Sequence, residues 1–194
     1  MKLYYCKSFK NRKDSHKLLQ IAIEDYMSSI SNKTVANNDQ VPSEGVLPKG
    51  LTILTTKEGK PYLDIPGVHF NISHSKGLWI CGVSTEPVGV DVEMIRKRSY
   101  DRLMEKYFSF DEIKYVEENG EDSFFQIWTF KEAHSKLLGE SIFHNLRVNA
   151  VKDGKIKEEY MDAKYMMFSE FDGAKCTLAK KNEIIKLELK EITI

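Results

Sequence analysis

A chain of 194 residues is long enough for one sizeable domain or two small halves that share a core, and 41% hydrophobic with 30% charged residues is ordinary for a globular protein. Lysine plus arginine equals aspartate plus glutamate at 29 each, so the overall charge points to neither nucleic acid nor a membrane surface. Cys6, Cys81 and Cys176 form no C-x-x-C pair, which argues against a zinc knuckle or redox dithiol and for three reduced, buried thiols.

The segment Met1 to Lys7 turns polar too early for a secretory signal, and Leu78 to Val83 is too short to span a bilayer; a cytoplasmic protein is expected. Leu3 to Cys6 reads as a short strand. Asp14 is placed to cap a helix running to about Ser29, with Leu18, Leu19, Ala22, Ile23 and Tyr26 at helical spacing. Ser31 to Gly50 shows no apolar periodicity and reads as a long surface loop. Short strands then follow at Leu51 to Thr55, Tyr62 to Asp64 and Phe70 to Ser73, the last ending in a turn at His74 to Gly77. Leu78 to Ser84 and Val88 to Glu93 read as a hairpin turning at Thr85 to Pro87.

The second half repeats the order. Helices are expected over Ser99 to Tyr107, Asp111 to Glu118 (capped by Ser109) and Glu121 to Leu138, stopped by Gly139. Strands follow at Ile156 to Met161, Tyr165 to Phe171, Ala174 to Lys180 and Ile184 to Ile194, the last with one wet face. The fold class is α+β: two similar halves, 1–97 and 98–194, each a helix on a mainly antiparallel sheet.

Chemistry concentrates where these halves would meet. Asp91 and Glu93 lie at i and i+2 of a strand, on one face, with side-chain origins roughly 6–7 Å apart. Like charges that close repel unless a cation or water separates them. Gly89 lets a backbone or a ligand approach. Trp128, Glu132 and Lys136 lie at i, i+4 and i+8 on a helix and form one stripe, with Lys131 adjacent. Each piece also has a plain reading: an acidic edge strand, an i,i+4 surface pair, a core tryptophan. Together they suit a Mg²⁺ site that handles phosphate, with Asp91, Glu93 and Glu132 as oxygen donors and Lys136 against developing phosphate charge. His74, flanked by Ser73 and Ser75, can donate to an anion or simply be a solvated turn residue.

Five pieces in order, Gly59-Lys60-Pro61-Tyr62, Phe70-Asn71-Ile72-Ser73-His74-Ser75, Gly89-Val90-Asp91-Val92-Glu93, Phe108-Ser109 with Glu112, and Trp128-Thr129-Phe130-Lys131-Glu132-Ala133 with Lys136 and Gly139, resemble the 4′-phosphopantetheinyl transferase superfamily in its longer, surfactin-synthetase-activating type. The resemblance implies two halves related by a pseudo-twofold with the active site between them. It implies transfer of the phosphopantetheine arm of coenzyme A to a serine of an acyl or peptidyl carrier protein, with Mg²⁺ as cofactor and adenosine 3′,5′-bisphosphate released. It implies metal ligation by Asp91, Glu93 and Glu132, with Glu132 also a general base and Lys136 beside the attacked phosphate. Ser73 and His74 would contact the coenzyme A 3′-phosphate and Lys60 and Pro61 its adenine side. Trp128 and Lys131 would support the site. Lys13 and Lys17 fall in the basic N-terminal pattern that grips the 3′-phosphate; the arginine usual near that helix's end is absent, and Glu24 and Asp25 occupy its region. No nucleic-acid or membrane partner is expected, and two halves in one chain favour a monomer. A non-catalytic carrier-binding module of the same fold is the alternative. A generic Mg²⁺ phosphohydrolase is a third reading, and no Walker loop or H-D metal cluster in the sequence supports it.

Overall fold

The computed structural model describes residues 1–35, 52–141, 145–184 and 186–194. Its first part runs β1 (Lys2–Cys6), α1 (Arg12–Val35), β2 (Ile53–Thr55), β3 (Pro61–Leu63), β4 (His69–Ser75) and β5 (Leu78–Ser84). The second runs β6 (Val88–Met94), α2 (Asp101–Tyr107), α3 (Phe110–Asn119), α4 (Asp122–Leu138), β7 (Val151–Lys152), β8 (Lys155–Ile156), β9 (Glu159–Tyr160), β10 (Ala163–Phe168), β11 (Ala174–Lys181) and β12 (Glu188–Glu191). The class is α+β, as the sequence suggests.

Two four-stranded sheets carry the molecule, in the orders β12-β1-β5-β4 and β6-β11-β10-β9. Their cores have one topology. In the first, β1 is followed by helix α1 and then by the hairpin β4-β5, with β5 between its partners; in the second, β6, α4 and the hairpin β10-β11 repeat that plan, and all these pairings are antiparallel. The expectation that β5 and β6 form one hairpin is corrected: β6 pairs with β11, Asp91 opposite Thr177 and Glu93 opposite Lys175. Conversely β12 crosses back and pairs parallel with β1. A turn at Thr85 to Pro87 reverses the chain but does not choose which edge the next strand joins.

Each unit buries its helix on its own sheet. Leu18, Leu19, Ala22, Ile23 and Tyr26 of α1 pack with Tyr4, Trp79 and Cys81, while Ile127, Phe130, Ala133 and Leu137 of α4 pack with Tyr165 and Ala179. A third cluster joins the two sheets, with Leu3 and Ile80 from one and Val90, Val92 and Leu178 from the other. Every residue of β5 is buried, as a strand covered on both faces must be. Burial of this kind contributes about 1.5–3 kcal/mol per large aliphatic side chain.

Helix ends follow local chemistry. Asn11, not Asp14, caps α1: its side-chain oxygen accepts from Lys13 N and Asp14 N, and Asp14 accepts in return from Asn11 N. The helix runs on to Val35, so the first residues of the expected loop are helical; 36–51 lie outside the described residues. Ser109 and Glu112 form the capping box of α3, and Gly139 ends α4 in the left-handed conformation. Strand β4 continues through His74 and Ser75, so the turn there begins only at Lys76. Strand β12 is exposed at all four residues, Leu189 included, rather than wet on one face; Ile192 beyond it enters the first core. Part of the expected last strand, residue 185, lies outside the described residues. All three cysteines are free and buried.

Candidate active site between two sheets and helix α4

Strand β6 is held on both edges in different ways. One edge pairs with β11. On the other, side chains of β4 replace a backbone ladder: Val90 N donates to Asn71 Oδ1 at 2.9 Å, Val92 N to Ser73 Oγ at 3.3 Å and Met94 N to Ser75 Oγ at 3.1 Å. The period of two in Asn71, Ser73 and Ser75 matches the spacing of the amides they meet. Across the face of β6 runs α4. At Gly89 a Cβ would lie 2.1 Å from the Ala133 carbonyl oxygen and 2.4 Å from Leu137 N. The open alternative at Gly89, backbone or ligand, resolves to the backbone of α4.

That crossing brings the acids together with Lys136. The buried Asp91 accepts at Oδ1 from Lys136 Nζ at 2.6 Å and from Ser73 Oγ at 2.7 Å, and Lys136 also donates to Ser73 Oγ at 3.0 Å. Asp91 Oδ2 is buried with no hydrogen-bond partner among the described residues. Glu93, next on the same face, accepts from Ser75 Oγ at 3.0 Å and lies 3.7 Å from the Arg96 guanidinium. Burial, then the Asp91 charge, pushes its carboxyl up. Glu132, one turn before Lys136, is pushed up to about 7: burial acts most, Asp91 and Glu93 add to it, and Lys136 opposes. The pattern is a carboxylate cluster short of positive charge. Among the described residues no three His, Cys, Asp or Glu side chains converge on a ready-made metal position. The donors present fit a hard cation that takes one or two carboxylates and completes its shell with water and phosphate oxygens, as Mg²⁺ does; the unpartnered Asp91 Oδ2 is the atom that such an ion would satisfy.

The other residues singled out from the sequence fall into different places. Ser73 faces the acids, and its hydroxyl is engaged with Asp91, Lys136 and Val92. His74 is exposed on the opposite face of β4, beside the Phe9 ring at 4.9 Å, on the side where α1 lies. Lys13 and Lys17 are exposed on α1, which packs mainly on β5 and β1. Pro61 and Lys60 line a cavity of about 300 Å³ reaching to Phe70 and Val88. They also border a groove of about 220 Å³ with Asn71, Lys136 and Gly139. The Lys60 ammonium itself points to α4, donating to the carbonyls of Lys136 at 2.6 Å and Leu137 at 3.1 Å. Trp128 stacks on Phe124 and lines a cleft of about 140 Å³ with Glu93, Arg96 and Tyr100.

Lys131 departs most from its expected place. It is fully buried and turned away from the acids, 2.8 Å from Glu112, and it donates to the carbonyls of Leu146 and Val148. Glu112 accepts in addition from Ser109 N and Ala150 N. Lys131 thus ties α4 to the start of α3 and to the segment before β7. It supports the site through the fold and offers no charge to a phosphate. Asn71, Ser75 and Arg96 were not singled out as site residues; the alternation of short polar side chains at Asn71, Ser73 and Ser75 along β4 was the signal for the first two.

Comparison with known proteins gives matches to one family. The family model described as the 4′-phosphopantetheinyl transferase superfamily matches residues 87–181, the span from β6 through β11. A 4′-phosphopantetheinyl transferase of Aneurinibacillus migulanus is 29% identical over 141 residues, 70% of this chain and 53% of that protein. One of Bacillus subtilis is 28% identical over 166 residues, 81% of this chain and 68% of that protein. One of Bacillus pumilus is 41% identical over 98 residues, 47% of this chain and 41% of that protein. The chain therefore spans only part of each relative, about half of the first.

Proposed function

We propose that the chain is a 4′-phosphopantetheinyl transferase of the surfactin-synthetase-activating type, the family its matches point to, and that it transfers the 4′-phosphopantetheine arm of coenzyme A to a serine of an acyl or peptidyl carrier protein. The observation that carries this is the meeting of Asp91, Glu93, Glu132 and Lys136 where α4 crosses β6, with a buried carboxylate oxygen unpartnered and a glutamate pushed up to about 7. The two units, taken as halves related by a pseudo-twofold, would each supply part of the site. The reading includes a cytoplasmic monomer; no described helix is long and apolar enough to cross a membrane.

The reaction joins the serine oxygen to the β-phosphorus of coenzyme A and breaks the pyrophosphate bond, so adenosine 3′,5′-bisphosphate leaves. Asp91, Glu93 and Glu132 would hold Mg²⁺; bound there, it would neutralise charge on the pyrophosphate. Glu132 would also take the serine proton, directly or through water, as the carboxylate that α4 brings to the site. Lys136, now on Asp91, is within one side chain's reach of the groove beside Pro61 and would meet the phosphate under attack. Ser73 keeps Asp91 and Lys136 in place. His74, Lys13 and Lys17, on the α1 side, are candidates for the 3′-phosphate, and the cavity by Lys60 and Pro61 for the adenine.

Intact-mass measurement of several apo carrier proteins incubated with the chain, coenzyme A and Mg²⁺ tests the proposal. The wild type is expected to add one phosphopantetheine, and Asp91→Ala or Glu132→Ala to lose at least about 100-fold in rate while folded. Full activity in either variant would remove the acid assignment. Metal-independent coenzyme A binding with no transfer would favour a carrier-binding module.

A further inference from the structure

Strand β3 begins where the two-stranded β2-β3 unit turns at Gly59, and its neighbour Lys60 sends its side chain away from that small sheet to the end of α4. The last carbonyls of a helix have no partners within it. Here the backbone N–H groups of Gly139 and Glu140 both return to the Ser135 carbonyl, and the next two, Lys136 and Leu137, receive the Lys60 ammonium at 2.6 and 3.1 Å. A cation at a helix C-terminus also meets the negative end of the helix dipole. The stem of Lys60 packs against Gly139, where a Cβ would fall 3.0 Å from Lys60 Cδ, so the glycine makes room for the lysine as well as for its own positive φ. One of the carbonyls held is that of Lys136, the residue whose side chain bridges Asp91 and Ser73.

We infer that Lys60 is a positioning residue for the transfer reaction: it fixes the last turn of α4, and with it the Lys136 ammonium, by capping that helix from the β2-β3 hairpin rather than by gripping coenzyme A with its own charge. The inference rests on the transferase reading for its kinetic consequence and on the geometry alone for its structural one. The hairpin that lines the cavity by Pro61 and the helix that carries Glu132 and Lys136 are thereby linked, so occupancy of that cavity and the reach of Lys136 depend on the same side chain.

Two measurements test it on the full chain. In Lys60→Met, amide hydrogen exchange at residues 137–140 is expected to quicken at least about ten-fold, with α3 unchanged; unchanged exchange at 137–140 overturns the inference whether or not the wild type is a transferase. In steady-state transfer to a carrier protein that the wild type modifies, Lys60→Met is expected to lower kcat at least about ten-fold with KM for coenzyme A within about three-fold, and Lys60→Arg to recover most of kcat. A loss carried by KM, or a kcat within three-fold of wild type, overturns it in favour of direct binding or no role. If Lys60→Met does not fold, Lys60→Gln takes its place under the same criteria. A wild type that modifies no carrier protein counts against the transferase reading and leaves the exchange experiment to decide this one.

Discussion

Glu132 illustrates how one side chain can be suited to chemistry at a cost to the empty fold. Its carboxyl ionises near 4.5 when unfolded and near 7 when folded, because burial and then Asp91 disfavour its charge. A raised carboxyl contributes stability that is fully present below about pH 4.5 and is lost as pH rises through about 7. Glu93, raised for the same two reasons, acts in the same direction. Glu132→Gln is therefore expected to raise the melting temperature of the ligand-free protein at pH 8, by roughly 2–4 °C per kcal/mol relieved in a chain of this size. At pH 5 the gain should be much smaller. Thermal melts at both values check this, and an equal effect at both would refute it. That Asp91 and Glu93 share one face, and Glu132 and Lys136 another, was legible from the sequence, since i,i+2 on a strand and i,i+4 on a helix fix a shared face. The partner of each was not: that Ser73 clamps Asp91 depends on β4 lying across β6, which no local pattern encodes.

Among the elements, α4 shows what spacing reveals and what it leaves out. The stripe Trp128, Glu132, Lys136 was readable from the 3.6-residue period, and Gly139 marked the stop. Lys131 was not readable, because a lysine one step round the helix is solvated unless another element covers it; here α3 and the segment before β7 do. Removing one partner of such a fully buried pair leaves a charge without compensation, a loss of about 3–5 kcal/mol. Lys131→Met is expected to cost at least about 3 kcal/mol in urea unfolding. The α4–β6 crossing is stricter still. Gly89→Ala puts a methyl against backbone atoms of Ala133 and Leu137, which cannot rotate aside. That variant should be insoluble or should melt far below wild type; a melting temperature within 2 °C, on the order of 1 kcal/mol or less, would mean that the crossing is looser than described.

For the molecule as a whole, the two units are locked by exchanges at both ends. Besides β6, which leans on β4, β12 returns to pair with β1, and Asp25 of α1 sits at that junction. Burial alone would raise the Asp25 carboxyl, but Lys190, Lys2 and Tyr4 outweigh it and hold it down at about 2. A lowered carboxyl contributes stability present above about pH 3.8 and lost as pH falls through about 2. Asp25→Asn should accordingly lower the melting temperature at pH 7, with the difference from wild type vanishing towards pH 2. Asp25 is thus a fastener between helix, first strand and last strand. The order of helices and strands was legible in the sequence, whereas the edge that β6 joins was not, since local turn chemistry at Thr85 to Pro87 is silent about sheet edges. The contacts from Asn71, Ser73 and Ser75 to β6 carry one more consequence. A backbone ladder is the same whatever the sequence, so mutation cannot tune it; a joint made of an amide and two hydroxyls can be altered one codon at a time. Exchanging a single serine there would shift the docking of one unit on the other, and with it the separation of Asp91 from Glu132, without touching either acid.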